Sequence, residues 1–309
     1  MATLITRATL LAQEWDDDRI RDAIRKGEFR RVWPGVYTRA PRGTPWAEYV
    51  ATVRASALAD GNRAVISHQS AAALHGLPML RPDYARVHTT VDGTHGGGVI
   101  SRRRHVHPRP LHANETGVVD GMTVTARGRT AIDVAMAGTY EQALAVIDGA
   151  RLRRRFPKPT DPPPVPLPEL EAVVEALGRR RGRRVVLRAL RDSVDNSESV
   201  GESWSRARMI QWKLPMPLLQ RPFHIDGRTY YADFLWGNLV GEFDGDDKYR
   251  SDADRRAYEK RRDSDFGTIG MTVCHWSWED LNDRLRFFKI LTNAMDRAGV
   301  IPHVPPFPG

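Results

Sequence analysis

The chain predicts a multidomain α/β protein of the α+β kind, and three observations carry that expectation. Its 309 residues exceed one ordinary hydrophobic core. Helix-like and strand-like periodicities succeed one another along it. A proline-rich run, PKPTDPPPVPLP at 157–168, stands between two such stretches. Prolines fix φ and remove backbone donors, so this run suits neither a helix nor a central strand and reads as a stiff linker. The expected units are residues 1–40, 41–155 and 169–300, with the linker at 156–168.

Composition excludes several classes. Hydrophobic residues at 41% and aromatics at 8% argue against wholesale disorder and against collagen-like repeats. A single cysteine, Cys274, cannot form an internal disulfide, and its apolar neighbours make it an inert small hydrophobe. No stretch approaches the ~18 uncharged apolar residues of a membrane span. The opening, MATLITRATLLAQEWDDDR, meets acids too soon for a secretory signal. A soluble cytoplasmic protein without membrane partners is the expectation.

The first forty residues form a compact pattern. ITRATLLAQ predicts a short helix with Leu10 and Leu11 inward. Asp16 to Asp18 can cap and start a second helix, Asp18 to Lys26, with Ile20, Ala23 and Ile24 on one face. Gly27 ends it, and FRRVWPGVYTR predicts two short strands around a Pro34-Gly35 turn. Helix, helix, hairpin is the winged helix-turn-helix arrangement, whose second helix can enter a major groove. A small cap built from the same elements for packing alone is the other reading.

Residues 46–80 then predict helices, with Ser67 as an N-cap, and 85–127 predict strands with an Asp120-Gly121 turn. RTAIDVAMA and TYEQALAVIDGARL return to helix. His105, His107 and His112 invite a metal reading, but no cysteine or acid stands beside them at ligand spacing, so a basic surface strand is expected. GTHGGGV lacks a following Gly-Lys-Ser/Thr and reads as a loop.

Charge is uneven. The net value of +9 divides into +4 for residues 1–150, +8 for 151–191 and −3 for 192–309. The basic middle holds Arg153, Arg154 and Arg155, then Arg179, Arg180, Arg181, Arg183 and Arg184. Such clusters attract polyanions, of which nucleic acid is the commonest.

The chemistry concentrates in the last third. Glu202 opens the predicted helix GESWSRARMIQW. RTYYADFLW alternates as a strand carrying Asp233, and LVGEFDG follows a Gly237-Asn238 turn as a second strand carrying Glu242. Glu242 and Asp244 share a face, and pairing of the hairpin brings Asp233 and Glu242 to one end of the sheet. Carboxylates on a buried strand cost several kcal/mol unless compensated, so two or three together imply a cation. Oxygen donors with an incomplete protein shell suit Mg2+, or Mn2+ in its place. A charged helix and the buried strand MTVCHWSW complete a mixed sheet flanked by helices.

GESWSR, YYADFLW, VGEFDGDDKY, YEKRRD and MTVCHWSWEDL together resemble the PD-(D/E)XK nuclease superfamily, in its restriction-endonuclease-like branch related to Vsr endonucleases. The resemblance covers roughly the last third. It implies metal ligation by Asp233 and Glu242, an additional acid in Glu202, and the backbone carbonyl of Phe243 completing the shell. The superfamily's usual lysine lies two residues after the second acid, where this chain has Asp244. Two readings stand: Asp244 is a further ligand with Lys248 or Lys260 supplying the cation, or Asp244-Gly245 simply makes a turn in a fold that binds nucleic acid without cutting it.

LITRATLLAQ, IRDAIRKGEFRRVWPGVYTR, SHQSAAALHGLP and RTAIDVA resemble the AbiEi-type antitoxin and transcriptional-regulator family over roughly residues 1–150. This resemblance implies a winged helix joined to an α/β body. It also implies DNA binding by the helix with Arg19, Arg21, Arg25 and Lys26 and by a wing with Arg30, Arg31 and Arg39. Two functions follow as expectations: a Mg2+-dependent DNA endonuclease, or a regulator and antitoxin that binds DNA, and a cognate toxin, without cutting.

Overall fold

In this computed structural model the described residues are 3–93, 98–245, 252–301 and 306–308, with 252–256 described as backbone. The chain forms two units, one of residues 1–139 and 165–191 and the other of 140–164 and 192–309.

The first unit begins with β1 (Ile5–Thr6), α1 (Arg7–Ala12), α2 (Asp17–Arg25), β2 (Arg30–Trp33) and β3 (Val36–Thr38). Thr6 and Asp16 cap the two helices by accepting from the backbone nitrogens of Thr9 and Arg19. Gly35, at φ 74°, turns the hairpin. The strands make an antiparallel sheet in the order β1-β3-β2 over a core of Leu10, Ile20, Ala23, Phe29 and Tyr37. Leu11 is exposed rather than inward, because adjacent helical positions diverge by about 100° and Leu10 takes the core side.

The same unit continues through α3 (Pro45–Ala59), β4 (Val65–Ile66), α4 (His68–Leu74), β5 (Val87–Val91), β6 (Val99–Ile100), β7 (Arg104–Pro108), a single 3-10 turn, β8 (Thr116–Val119), β9 (Met122–Thr125) and α5 (Arg127–Ala137). These strands form a six-stranded sheet, β6-β7-β5-β4-β9-β8. The β5–β7 and β4–β9 pairs are parallel and the others antiparallel. Asp120 and Gly121 both have positive φ, as a tight two-residue hairpin turn demands. Thr94 to Gly97 of the predicted GTHGGGV loop lie outside the described residues.

The proline-rich run is not the boundary between units. α6 (Tyr140–Arg151), which precedes it, belongs to the second unit, whereas α7 (Leu167–Leu177) and most of α8 (Arg183–Asp192), which follow it, belong to the first. The cause is where each buried face finds its complement. Asp148 on α6 accepts from Arg206 at 2.8 Å and from Ser203 at 2.9 Å. On the other side α7 packs on α5, where Gly128 leaves room for Glu169. Residues 157–166 are therefore a crossover. It ends at residue 166, because Leu167 and Pro168, expected in the linker, form the first turn of α7, where a proline's missing N–H costs no helix bond. The basic stretch 151–191 is divided, with Arg153 to Arg155 in one unit and Arg179 to Arg184 in the other.

The second unit adds α9 (Val200–Gln211), β10 (Leu218–Ile225), β11 (Arg228–Trp236), β12 (Leu239–Asp244), α10 (Asp252–Thr268), β13 (Thr272–Ser277), α11 (Trp278–Asn282) and α12 (Arg284–Arg297). Its sheet runs β10-β11-β12-β13, antiparallel until the last pair, which is parallel. This is the mixed sheet that the sequence predicts, with β10 as an unanticipated edge strand. Trp204, Trp236, Phe234, Trp276 and Phe287 are buried, so these aromatics pack the core. Cys274 is buried beside them. Gly201 and Gly241 are required by close approach: a Cβ on Gly201 would stand 2.0 Å from the Phe243 ring, and one on Gly241 2.7 Å from Trp276. Among the described residues no helix is long and apolar enough to cross a membrane.

Candidate active site

The acids of the second unit converge through strand register. Phe234 pairs with Gly241 across β11 and β12, which sets Asp233 opposite Glu242 one step further on. Leu219 pairs with Phe234 and Arg221 with Ala232, which sets Gln220 of β10 across from Asp233. Gln220 has φ 54°, a conformation that costs a side-chain-bearing residue energy and that aims its amide inward. Its nitrogen donates to Glu202 Oε2 at 3.0 Å and to Asp233 Oδ1 at 3.1 Å. Glu202 arrives from the first turn of α9, which Ser199 caps, and accepts a further bond from the Glu198 nitrogen at 2.9 Å.

Burial makes this cluster electrostatically costly. Glu202 is 5% exposed and Glu242 3%. Burial, reinforced by the Asp233 charge, pushes the Glu202 carboxyl up to about 8. Burial also raises Asp233, and it lifts Glu242 well above the ordinary carboxylate range with Asp233 adding to the effect. Cations offset part of this. Arg262 Nη2 donates to Glu242 Oε1 at 2.5 Å and to the Tyr231 carbonyl at 2.6 Å. Arg155 bonds Gln220 and Glu198, and its guanidinium carbon lies 3.4 Å from the Tyr231 ring centre.

Several expected roles fall differently. Phe243 contributes its amide, which donates to Asp233 Oδ2 at 3.0 Å. Its carbonyl, expected as a metal ligand, accepts from the Gly245 nitrogen at 3.1 Å because the chain turns there. Asp244 pairs with His275 Nδ1 at 3.3 Å, and the other ring nitrogen reaches Asp263 at 3.1 Å. The bond to Asp244 leads the effects that raise His275 to about 9, so this ring carries a proton at neutral pH. Lys260 is exposed, and the cation at the acids is Arg262, two residues along the same helix. Lys248 lies outside the described residues. Arg262, Gln220 and His275 were missed by sequence reasoning. The KRR run of α10 signals a cation but not which of the three turns inward.

The basic residues differ in exposure and in partners. Arg19, Arg21, Arg25, Lys26, Arg31 and Arg39 are exposed in the first unit. Arg21 and Arg25 pair with Asp18 and Asp22 one turn back, and Arg19 stacks on Trp15. Arg30, expected on a wing, instead forks onto Glu48 with two bonds of 2.8 Å. Arg180 donates to the Leu177 carbonyl, while Arg181 is exposed. Arg153 and Arg154 are exposed and pair with Asp195 and Asp161, whereas Arg155 belongs to the acidic site. His105 and His107 do not lie on a solvated strand: His107 is buried, and both rings turn toward His88.

No protein-family model matches the sequence. The chain is similar to the uncharacterized protein Rv2248 of Mycobacterium tuberculosis strain H37Rv, at 28% identity over 282 residues, covering 89% of this chain and 95% of that protein. The same figures hold for an uncharacterized protein of strain CDC 1551. Among solved structures, the RV2827C protein of Mycobacterium tuberculosis aligns with 70% of this chain and 78% of its own, at 16% identity and a TM-score of 0.40.

Proposed function

We propose that this protein binds DNA and hydrolyses its phosphodiester bonds with a divalent metal ion held by the acids of the second unit. The observation that carries the reading is the set Glu202, Asp233 and Glu242, brought together by strand register and the Gln220 amide, whose carboxyls burial holds above their ordinary range in spite of Arg262. Hard oxygen donors suit Mg2+ or Mn2+, and these three residues would hold the ion by drawing closer together than they stand here, where their ligand atoms do not all lie within 4.8 Å of one another. When bound, such an ion supplies an activated water and stabilises charge on the scissile phosphate.

The protein's own groups have separate tasks. Gln220 orients Glu202 and Asp233 through one amide nitrogen. Arg262 of α10 offsets the Glu242 charge. On this reading the first unit's short helices and hairpin form a winged helix. The exposed Arg21, Arg25, Arg31 and Arg39 contact phosphates, and the second unit takes the restriction-endonuclease-like arrangement.

The test is cleavage of plasmid, single-stranded and mismatched DNA with Mg2+ or Mn2+. Cleavage is expected to vanish in the Asp233→Asn, Glu242→Gln double variant. Cleavage that survives in that variant, or none with the parent protein, sinks the reading.

A second reading is favoured by Asp244, which stands at the lysine position and is tied to His275 instead of facing an open position. In that case the chain is a regulator or antitoxin that binds DNA, or a toxin partner, without cutting. It predicts salt-sensitive duplex binding that does not change when divalent metal is removed.

A further inference from the structure

We propose that His88, His105 and His107 of the first unit form a site for one divalent transition-metal ion of the zinc class, bound through three imidazole nitrogens with a further position open to water. The sheet builds the site. His105 and His107 are two apart on β7, so their side chains leave the same face. β5 runs parallel to β7, with His88 beside His105 and Thr90 beside His107. Three imidazoles far apart in sequence therefore meet on one face.

The distances fit. One donor nitrogen from each ring lies within 4.8 Å of the other two, and among the described residues no other trio of His, Cys, Asp or Glu closes so far, the acids of the second unit included. His88 Nδ1 and His107 Nε2 are 3.0 Å apart. Nitrogens bound to one ion at about 2.0–2.1 Å stand about 3.3 Å from each other in a tetrahedral shell. Imidazole donors select zinc, nickel, cobalt or copper over magnesium and calcium, which prefer oxygen.

The surroundings supply what the rings need. A fourth imidazole, His68 at the start of α4, stacks on His107 with centroids 3.7 Å apart and planes 13° apart. His68 is held at φ 49°, a strained conformation for a side-chain-bearing residue, and its Nδ1 is bonded to Ser67 Oγ at 3.0 Å. Thr90 is 1% exposed, and its hydroxyl has no hydrogen-bond partner among the described residues. Buried hydroxyls rarely stay unpaired, and a metal-bound water on this face is a partner of the right chemistry.

The test uses the full-length, tag-free chain after chelator treatment, titrated with Co2+ and followed by visible absorption. One equivalent is expected to give the d–d bands of a low-coordinate nitrogen-rich site. Zn2+ should abolish the bands and a large excess of Mg2+ should not. His105→Gln, at a half-buried position, is expected to weaken Co2+ binding at least tenfold, and His88→Gln with His105→Gln to remove it, with far-UV circular dichroism reporting the fold. Glu242→Gln and His224→Gln should leave the bands unchanged. Absence of bands overturns the site, as does binding that persists in the His88, His105 variant or disappears in the Glu242 variant. DNA cleavage is read separately through Asp233 and Glu242, so the two proposals fail independently.

Discussion

Arg262 and Glu242 form a nearly enclosed ion pair, with 18% and 4% of their side chains exposed and 2.5 Å between Nη2 and Oε1. Glu242 nevertheless keeps a raised affinity for protons, because burial and the Asp233 charge outweigh the guanidinium. Removing the arginine therefore leaves a buried carboxyl beside another, with only the more distant His275 to offset it. Arg262→Met is expected to cost about 3 kcal/mol in urea unfolding at pH 7, the scale of breaking one side of a buried pair. Adding Glu242→Gln should restore much of that loss. A cost below about 1 kcal/mol for the single variant would show that Arg262 is not neutralising the acids.

Glu202 predicts a pH dependence with a definite sign. Its ordinary value of 4.5 rises to about 8 in the folded protein. The folded state therefore binds the proton more tightly than the unfolded chain. The resulting stabilisation is complete below about 4.5 and is lost as pH rises through about 8. Glu202→Gln keeps an oxygen to accept from Glu198 and Gln220 and removes the titration. Thermal unfolding of the parent should weaken between pH 5 and 8.5 more steeply than that of the variant, with the variant the more stable at pH 8.5. Added Mg2+ should flatten the parent's slope. Parallel slopes without metal would show that Glu202 ionises freely when folded.

How much of this was legible in the sequence depends on the range of the interaction. The hairpin carrying Asp233 and Glu242 was readable because period-2 alternation and a two-residue turn are local signals. β10 was not, because Pro222 breaks a strand pattern; the strand tolerates proline by lying at the sheet edge, where a missing donor costs no ladder bond. With β10 went Gln220, which acts through a backbone conformation that composition does not announce. The sequence singles out His105 and His107 but points to a surface strand, because the partners that complete the cluster lie elsewhere in the chain. His88 and His105 pair only through a parallel register, and no spacing rule within one segment brings His68 to His107. Proline content marked 157–168 as extended, but the helices on either side choose partners by shape and buried charge, which proline says nothing about.

Arg30 is a packing arginine and differs in this from the arginines proposed to contact DNA. It forks onto Glu48 and donates to the Ala40 carbonyl at 2.9 Å, so its guanidinium is already spent within the protein. Arg21, Arg25 and Arg31 are exposed. If the first unit docks on duplex DNA through these residues, each exposed Arg→Ala change should weaken binding across sequences and reduce the salt slope of log Kd by about one. Arg30→Ala should lower thermal stability and leave that slope unchanged. A slope that changes only in Arg30→Ala would remove the proposed interface.

Arg129 is the most deeply buried arginine among the described residues of the first unit. It is 1% exposed on α5, donates to Glu115 at 2.8 Å, and reaches both Asp133 oxygens at 3.1 and 3.2 Å and the Pro110 carbonyl at 3.2 Å. Burial pushes Asp133 up to about 6 even with the arginine beside it. The planar guanidinium holds two acids and a carbonyl at once, a geometry that a lysine ammonium does not reproduce. Arg129→Lys is therefore expected to lose a substantial part of the network despite keeping the charge. Arg129→Met should cost about 3–5 kcal/mol, since two buried carboxyls lose their partner. Both losses should shrink below pH 5, where Asp133 becomes protonated and needs no counter-charge. Urea midpoints at pH 7 and pH 5 check this. A methionine variant equally destabilised at both pH values would mean that packing, and not charge, is what Arg129 contributes.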